Sequence, residues 1–339
     1  MNTIEIKVQG DEMRVLSAHR GKTVEAVVDG GKLYLCPYVR DYVRRVLPGI
    51  SAGGMEDGTY IVGKGSLLRN VTFLTVCNGA LCVKRKSGDS YEVPLRRLGD
   101  DFSFGLASDK SFPLFKDDLR IIRQLALCAS DDENRYALRG VVIDESDPDA
   151  FWLYATDVKR MAWTPSMERM LPYGTDKFLV HREVLPLLGD AALVGIGQKR
   201  TLYIAEDRRW YLLPEQPELT LNWKRVIPGS FAHEKKDTEC RWAMFAKYDR
   251  KKGQTDRVQM YGTGTWAEYS ESAERLGDKP DWLPAGMTLA MNFRCLADVP
   301  KVLGGRDRIT VSLQDDHHKP VQFERDGMKY LVMPMLVAW

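Results

Sequence analysis

Three stretches of the sequence hold residue types that can do chemistry. "DDHHK", Asp315 to Lys319, sets two carboxylates beside two imidazoles, a donor set for a divalent metal. His317 and His318 are adjacent, so on a strand they would point to opposite faces. The stretch therefore reads as a hairpin tip. "DDENR", Asp131 to Arg135, and "DESDPD", Asp144 to Asp149, gather acids, but both read as solvated turns. There is no P-loop, no G-x-S-x-G and no H-E-x-x-H. The expectation is a protein without catalysis, metal or cofactor.

Binding chemistry is better represented. In "PYVRDYVRRVL", helical spacing puts Val39, Val43, Val46 and Leu47 on an apolar face and turns Arg40, Arg44 and Arg45 elsewhere. In "LFKDDLRIIRQLALCAS", Leu119, Ile122, Leu125, Ala126 and Ala129 share one face, and Lys116, Arg120 and Arg123 the other. Arg182, Arg294 and Lys301 fall in comparable short helices. "KYLVMPMLVAW", Lys329 to Trp339, is nearly all apolar. Lys329 to Met333 reads as a strand. Met333, Pro334 and Met335 then offer soft, adaptable side chains to a protein partner.

The elements that must carry these residues repeat. "LYLCPYVRDYVRRVLPG", "FLVHREVLPLLGD" and "LAMNFRCLADVPKVLGG" each run from a short strand into a short helix closed by Gly. Each is followed by paired strands: "TFLTVCNGALCVKRK" with "SYEVPLRRL", "ALVGIGQKRTLYIAE" with "RRWYLLPE", and "ITVSLQDDHHKPVQFER" with "KYLVMPM". Each is preceded by a β-rich stretch. The chain thus reads as one α+β unit written three times, at 1–112, 113–230 and 231–339. Only the middle copy has a leading helix. A net charge of +2 over 339 residues advertises no global field for nucleic acid. Six scattered cysteines without a CxxC pair fit a reduced, cytoplasmic protein. No apolar run reaches the roughly 18 residues of a membrane span.

On this repeat, "NRYALRGVVID", "LYATDVKRMAW", "WKRVIPGSF", "NFRCLADVPKVL" and "YLVMPM" follow in order. Together they resemble the bacterial DNA polymerase III beta subunit, the sliding clamp, across roughly 113 to 339. The first copy is similar more weakly. The resemblance implies a DNA clamp fold and a head-to-tail homodimer ring, with sheets outside and helices towards a central hole that holds double-stranded DNA. It implies a processivity factor whose partners, DNA polymerase and clamp loader, dock through short peptides.

By motif match the peptide pocket would use Leu138 from "YALRG", and Thr156, Lys159, Arg160 and Met161 from "ATDVKRM". It would continue with Arg225 and Val226 from "KRVIP", Asn292 from "NFRC", and Leu331, Met333, Pro334 and Met335 from "YLVMPM". The DNA-facing set would be Arg40, Arg44, Arg45, Lys116, Arg120, Arg123, Arg182, Arg294 and Lys301. Two departures from the family stand out. Val158 and Lys159 replace a Gly-His pair, and Leu336 to Trp339 replace a shorter end. The missing leading helices keep a second reading open, a clamp-like adaptor that binds partners without closing a ring on DNA.

Overall fold

A computed structural model of the chain describes residues 6–7, 23–40, 42–52, 54–64, 68, 71–77, 79–99, 111–166, 168–197, 200–238, 257–261, 265–268, 275–278 and 281–335. The start of the first copy, apart from Ile6–Lys7, and the tail Leu336 to Trp339 lie outside the described residues; ahead of the third copy, the described stretch 229–238 holds the strand His233–Thr238 and not a helix.

In chain order the strands are β1 (Ile6–Lys7), β2 (Thr23–Asp29), β3 (Lys32–Cys36), β4 (Arg44–Val46), β5 (Ile50–Ser51), β6 (Gly58–Lys64), β7 (Val71–Cys77), β8 (Ala80–Arg85), β9 (Ser90–Pro94), β10 (Arg96–Gly99), β11 (Ser111–Leu114), β12 (Gly140–Asp147) and β13 (Ala150–Thr156). They continue with β14 (Arg160–Ser166), β15 (Lys177–His181), β16 (Ala192–Ile196), β17 (Arg200–Ala205), β18 (Trp210–Pro214), β19 (His233–Thr238), β20 (Arg257–Tyr261), β21 (Thr265–Glu268), β22 (Arg275–Asp278), β23 (Thr288–Asn292), β24 (Ile309–Leu313), β25 (Val321–Arg325) and β26 (Met328–Val332). Two α-helices, Lys116–Leu125 and Phe293–Val302, stand among them. The chain divides into two compact units. One holds 1–119, 172–174 and 183–216, and the other 120–171, 175–182 and 217–339.

The first unit has three sheets, ordered β1-β7-β8-β9, β10-β6-β2-β3-β5 and β11-β16-β17-β18-β4. Strand β2 shows how sequence alternation builds it. Val24, Ala26 and Val28 enter one apolar core with Leu33, Leu35, Leu74 and Leu81. Val27 points the other way, into a second core with Cys36, Val46, Leu202 and Leu212. A strand covered on both faces reads as a continuous apolar run, as "TVEAVV" nearly does. Gly30 and Gly31 supply positive φ, 56° and 75°, for the two-residue turn that joins β2 to β3.

One expected helix is not there. Residues 38–47 form no helix. Arg44–Val46 is a strand that pairs with β18, at Tyr211↔Arg45 and Leu212↔Arg44. The apolar positions were read correctly, since Val43, Val46 and Leu47 are buried. The conformation was not. Three valines in the segment disfavour helix, and the open edge of β18 offers a ladder of backbone hydrogen bonds that a short helix cannot match. The second copy keeps only a 3₁₀ turn, Leu185–Leu187, with Pro186 inside it and Gly189 at φ +58° closing it. The third copy has a full helix, Phe293–Val302, capped by Asn292. Its side-chain oxygen accepts from the N–H of Arg294 at 2.9 Å and of Cys295 at 3.4 Å.

The second unit carries an eight-stranded sheet, β15-β12-β13-β14-β26-β25-β24-β19, and a four-stranded one, β22-β21-β20-β23. Strand β26 sits inside the large sheet between β14 and β25, with Arg160↔Val332, Met161↔Leu331 and Trp163↔Lys329 in register. The strand expected at Lys329 to Met333 is therefore present, displaced by one residue. Helix Lys116–Leu125 buries Leu119, Ile122 and Leu125 completely, as its spacing predicts. Among the described residues, Cys36, Cys128 and Cys295 are free and buried, and Cys82 is free and partly buried. Among the described residues no helix is long and apolar enough to cross a membrane.

Candidate functional site

The strongest candidate site lies wholly in the second unit, where β12, β13 and β14 meet the extended segment 217–222. The floor is aromatic. Trp223 is buried, stacked on Tyr154 at 5.0 Å and set edge-on to Trp152 at 5.5 Å. Val142, Met161, Trp163, Leu179 and Leu331 complete the cluster. Trp223 donates from Nε1 to Asp144 Oδ2 at 3.1 Å. Burial works against the Asp144 charge. Hydrogen bonds from Ser146 and Trp223, with Lys177 nearby, more than offset it and hold the carboxyl below the usual range. Lys224 lies 5.7 Å above the Trp152 ring and 3.3 Å from Asp147. The floor is thus fixed from beneath by packing and a buried carboxylate.

Above the floor opens a cavity of about 210 Å³, lined by Leu138, Gly140, Val142, Tyr154, Thr156 and Leu221 among others. A Cβ on Gly140 would sit 2.3 Å from the Val180 carbonyl, so only glycine lets β12 approach β15 here. Several large apolar side chains on the bordering segments stay in water: Leu221, Val226, Met333 and, at 61% exposure, Val158. An apolar recess with exposed apolar neighbours suits the side chains of an extended peptide.

Of the expected pocket residues, four belong to the cavity or the cluster beneath it, in distinct roles. Leu138 and Thr156 line the cavity. Met161 and Leu331 are floor, each 2% exposed. Lys159, Arg225 and Val226 are exposed on adjoining turns. The Met333 N–H donates to Lys159 O at 2.9 Å, and the Met335 N–H to Ala290 O at 2.7 Å, which fixes the path of Met333, Pro334 and Met335.

Two expectations need correction. Arg160 is no loose rim charge, because Asp157 holds it at 3.0 Å and Asp298 at 2.6 Å, largely buried. Asn292 uses its side chain as a helix cap rather than as pocket wall. The sequence reading also missed Glu218 to Leu221, which form one side of the cavity. The alternation of Leu219 and Leu221 after Pro217 was the available signal.

The expected DNA-facing residues divide. Lys116, Arg120, Arg294, Lys301 and Arg40 are exposed, and Arg123 and Arg45 are partly buried. Arg44 is not a surface charge: Glu25 and Tyr38 hold it inside the first unit, and Arg200 shares the same carboxylate at 2.6 Å. Arg182 is tied to the Ala129 and Ser130 carbonyls and to Asp131. Among the acids, Asp131 to Arg135 form an exposed turn as expected. Asp144 and Glu145 are not solvated turn acids, since both are buried in β12. Glu145 accepts from the Met170 and Leu171 N–H groups and from Arg169. "DDHHK" is the β24–β25 hairpin tip.

No family model and no curated protein matches the chain. Solved structures do. The DNA polymerase III subunit beta from Pseudomonas aeruginosa is similar over 98% of this chain and 100% of its own, with a TM-score of 0.68 at 17% identity. The DNA polymerase sliding clamp from Caulobacter crescentus is similar over 99% and 100%, with a TM-score of 0.68 at 15% identity. The Helicobacter pylori beta clamp, solved bound to a DNA ligase peptide, is similar over 99% and 100%, with a TM-score of 0.66 at 12% identity. Over essentially its whole length, the chain has the fold of the bacterial sliding clamps.

Proposed function

We propose that the chain is a non-catalytic DNA sliding clamp that closes as a homodimer ring on duplex DNA and tethers a DNA polymerase and other partners by short peptides. The observation that carries this reading is the end-to-end likeness to beta clamps, and the sequence repeat near 1–112, 113–230 and 231–339 supports it. The cavity between Leu138, Thr156 and Leu221 supports the peptide half of the proposal, as does the ligase peptide bound by the Helicobacter pylori relative. The exposed basic residues Lys116, Arg120, Arg294 and Lys301 supply phosphate contacts without base readout.

The test has two arms. A fluorescent peptide with a Leu-Phe end should bind the purified protein, and Leu221→Asp should weaken it at least about tenfold, because a carboxylate would be desolvated in an apolar recess. Light scattering should give twice the chain mass of 38.6 kDa. Protein loaded on nicked circular DNA should be released when the circle is cut. A monomer that still binds the peptide would establish the second reading, an adaptor that does not encircle DNA. The internal pairing of Arg44 and Arg182 favours that reading, since it removes two charges from the expected lining.

A further inference from the structure

The chain has five histidines, and three of them lie on strand β19 and the β24–β25 tip, outside the cavity lined by Leu138 and Thr156. Strand β19 pairs with β24 so that His233 lies opposite Leu313, two residues before the hairpin tip. At the tip, ligand atoms of Asp316, His317 and His318 all lie within 4.8 Å of one another. The turn overcomes the expected opposition of adjacent histidines, bringing the two ring centroids to 3.9 Å. The backbone N–H of His318 donates to Asp316 at 2.9 Å, which fixes the carboxyl within the turn.

A second His–Asp pair faces the same space. His233 Nε2 and Asp315 Oδ1 are 2.6 Å apart. His233, Asp315 and His317 together line a cavity of about 490 Å³, closed on its other side by residues 284–288. A carboxylate on Nε2 orients an imidazole and leaves Nδ1 as the coordinating atom, the usual supporting arrangement behind a metal-bound histidine.

We propose that this tip binds one divalent transition metal ion, with zinc as the fitting case, through His317, His318 and Asp316, and that the Asp315-oriented His233 completes the set. Two or three imidazoles with a carboxylate suit zinc or nickel and not magnesium, which demands six oxygens in an octahedron. The thiols are poor competitors: burial raises Cys36 to about 12 and Cys295 to about 11, against thiolate formation.

Untagged protein, dialysed against EDTA, would be titrated with zinc chloride by calorimetry at neutral pH. One equivalent should bind with a micromolar or tighter Kd, and magnesium chloride should give no heat. The double variant His317→Ala, His318→Ala should bind at least about tenfold more weakly. His233→Ala, which removes one ligand of the set, should likewise bind at least about tenfold more weakly. These side chains sit in an exposed turn and at a strand end, so circular dichroism should show the variants folded. Cobalt substitution gives an independent readout, a visible spectrum without thiolate charge transfer. No heat from the wild-type protein, unchanged zinc binding by the double variant, or a thiolate band would each overturn the proposal.

Discussion

Acid should loosen the β12–β15 strand pair beside the cavity, and His181 is the group responsible. His181 ends β15 opposite Gly140, which lines the cavity, and it stacks on Tyr136 at 5.1 Å. Burial, reinforced by Arg139 and Arg182, pushes its pKa from 6.5 down to about 3. The unfolded chain then takes up a proton near pH 6.5 that the folded chain refuses until about pH 3. The stability held by neutral His181 is complete above pH 6.5 and drains away as pH falls through that window. Linkage gives a loss of roughly 2–3 kcal/mol at pH 4.5 and almost none at pH 7.5. His181→Phe keeps a ring against Tyr136 and removes the titration. Urea unfolding of both proteins at the two pH values isolates the effect, because every other group is common to them. The variant should lose roughly 2–3 kcal/mol less than wild type between pH 7.5 and 4.5. Equal losses would refute the assignment of His181 as a buried neutral imidazole.

Three further outcomes follow from backbone and charge. Val158 is β-branched, 61% exposed and held at φ +79°, a conformation that costs an L-residue about 1–2 kcal/mol. Val158→Gly relieves that strain and adds about 0.5–1 kcal/mol of chain entropy, so the thermal midpoint should stay level or rise, never fall by several degrees. Arg120→Glu with Arg123→Glu should weaken sequence-independent DNA binding and flatten its salt dependence by about one unit per lost phosphate contact. Arg44→Met should leave DNA binding unchanged and lower stability by about 1–3 kcal/mol, because Glu25 would lose one of its two guanidinium partners. Salt-titrated DNA binding and urea unfolding separate the two classes.

The sequence was most legible where local pattern and tertiary environment agreed. Leu119, Ile122 and Leu125 recur at helical spacing and are wholly buried on a helix. The apolar run in "KYLVM" belongs to a strand covered on both faces, with Tyr330, Leu331 and Val332 all buried. Legibility failed at 38–47, where helical periodicity was real and Val43, Val46 and Leu47 are core. A free edge on β18, some 165 positions later in the chain (Arg45 facing Tyr211), decided the conformation instead. No local signal announces a vacancy on a distant strand. Arg160 was misjudged for the same reason, since its aspartate at 298 is 138 residues away. Within the cleft, motif matches found Leu138, Thr156, Met161 and Leu331. They passed over 218–221, an extended stretch whose place is set by Trp223 anchoring behind it.

The placement of β26 inside the large sheet has a consequence for synthesis. Met161 and Leu331 are neighbours across the ladder and both belong to the cleft floor, yet 170 positions of chain separate them. Contacts that close such long loops form late and slowly. While the ribosome is still translating, β14 waits with one edge open and the recess has no complete bottom. Leu331 completes that bottom only after it has emerged and paired between β14 and β25. A chain cut short before β26 would carry Leu138 and Thr156 above an incomplete floor, and would lack the recess on which the proposed peptide docking depends.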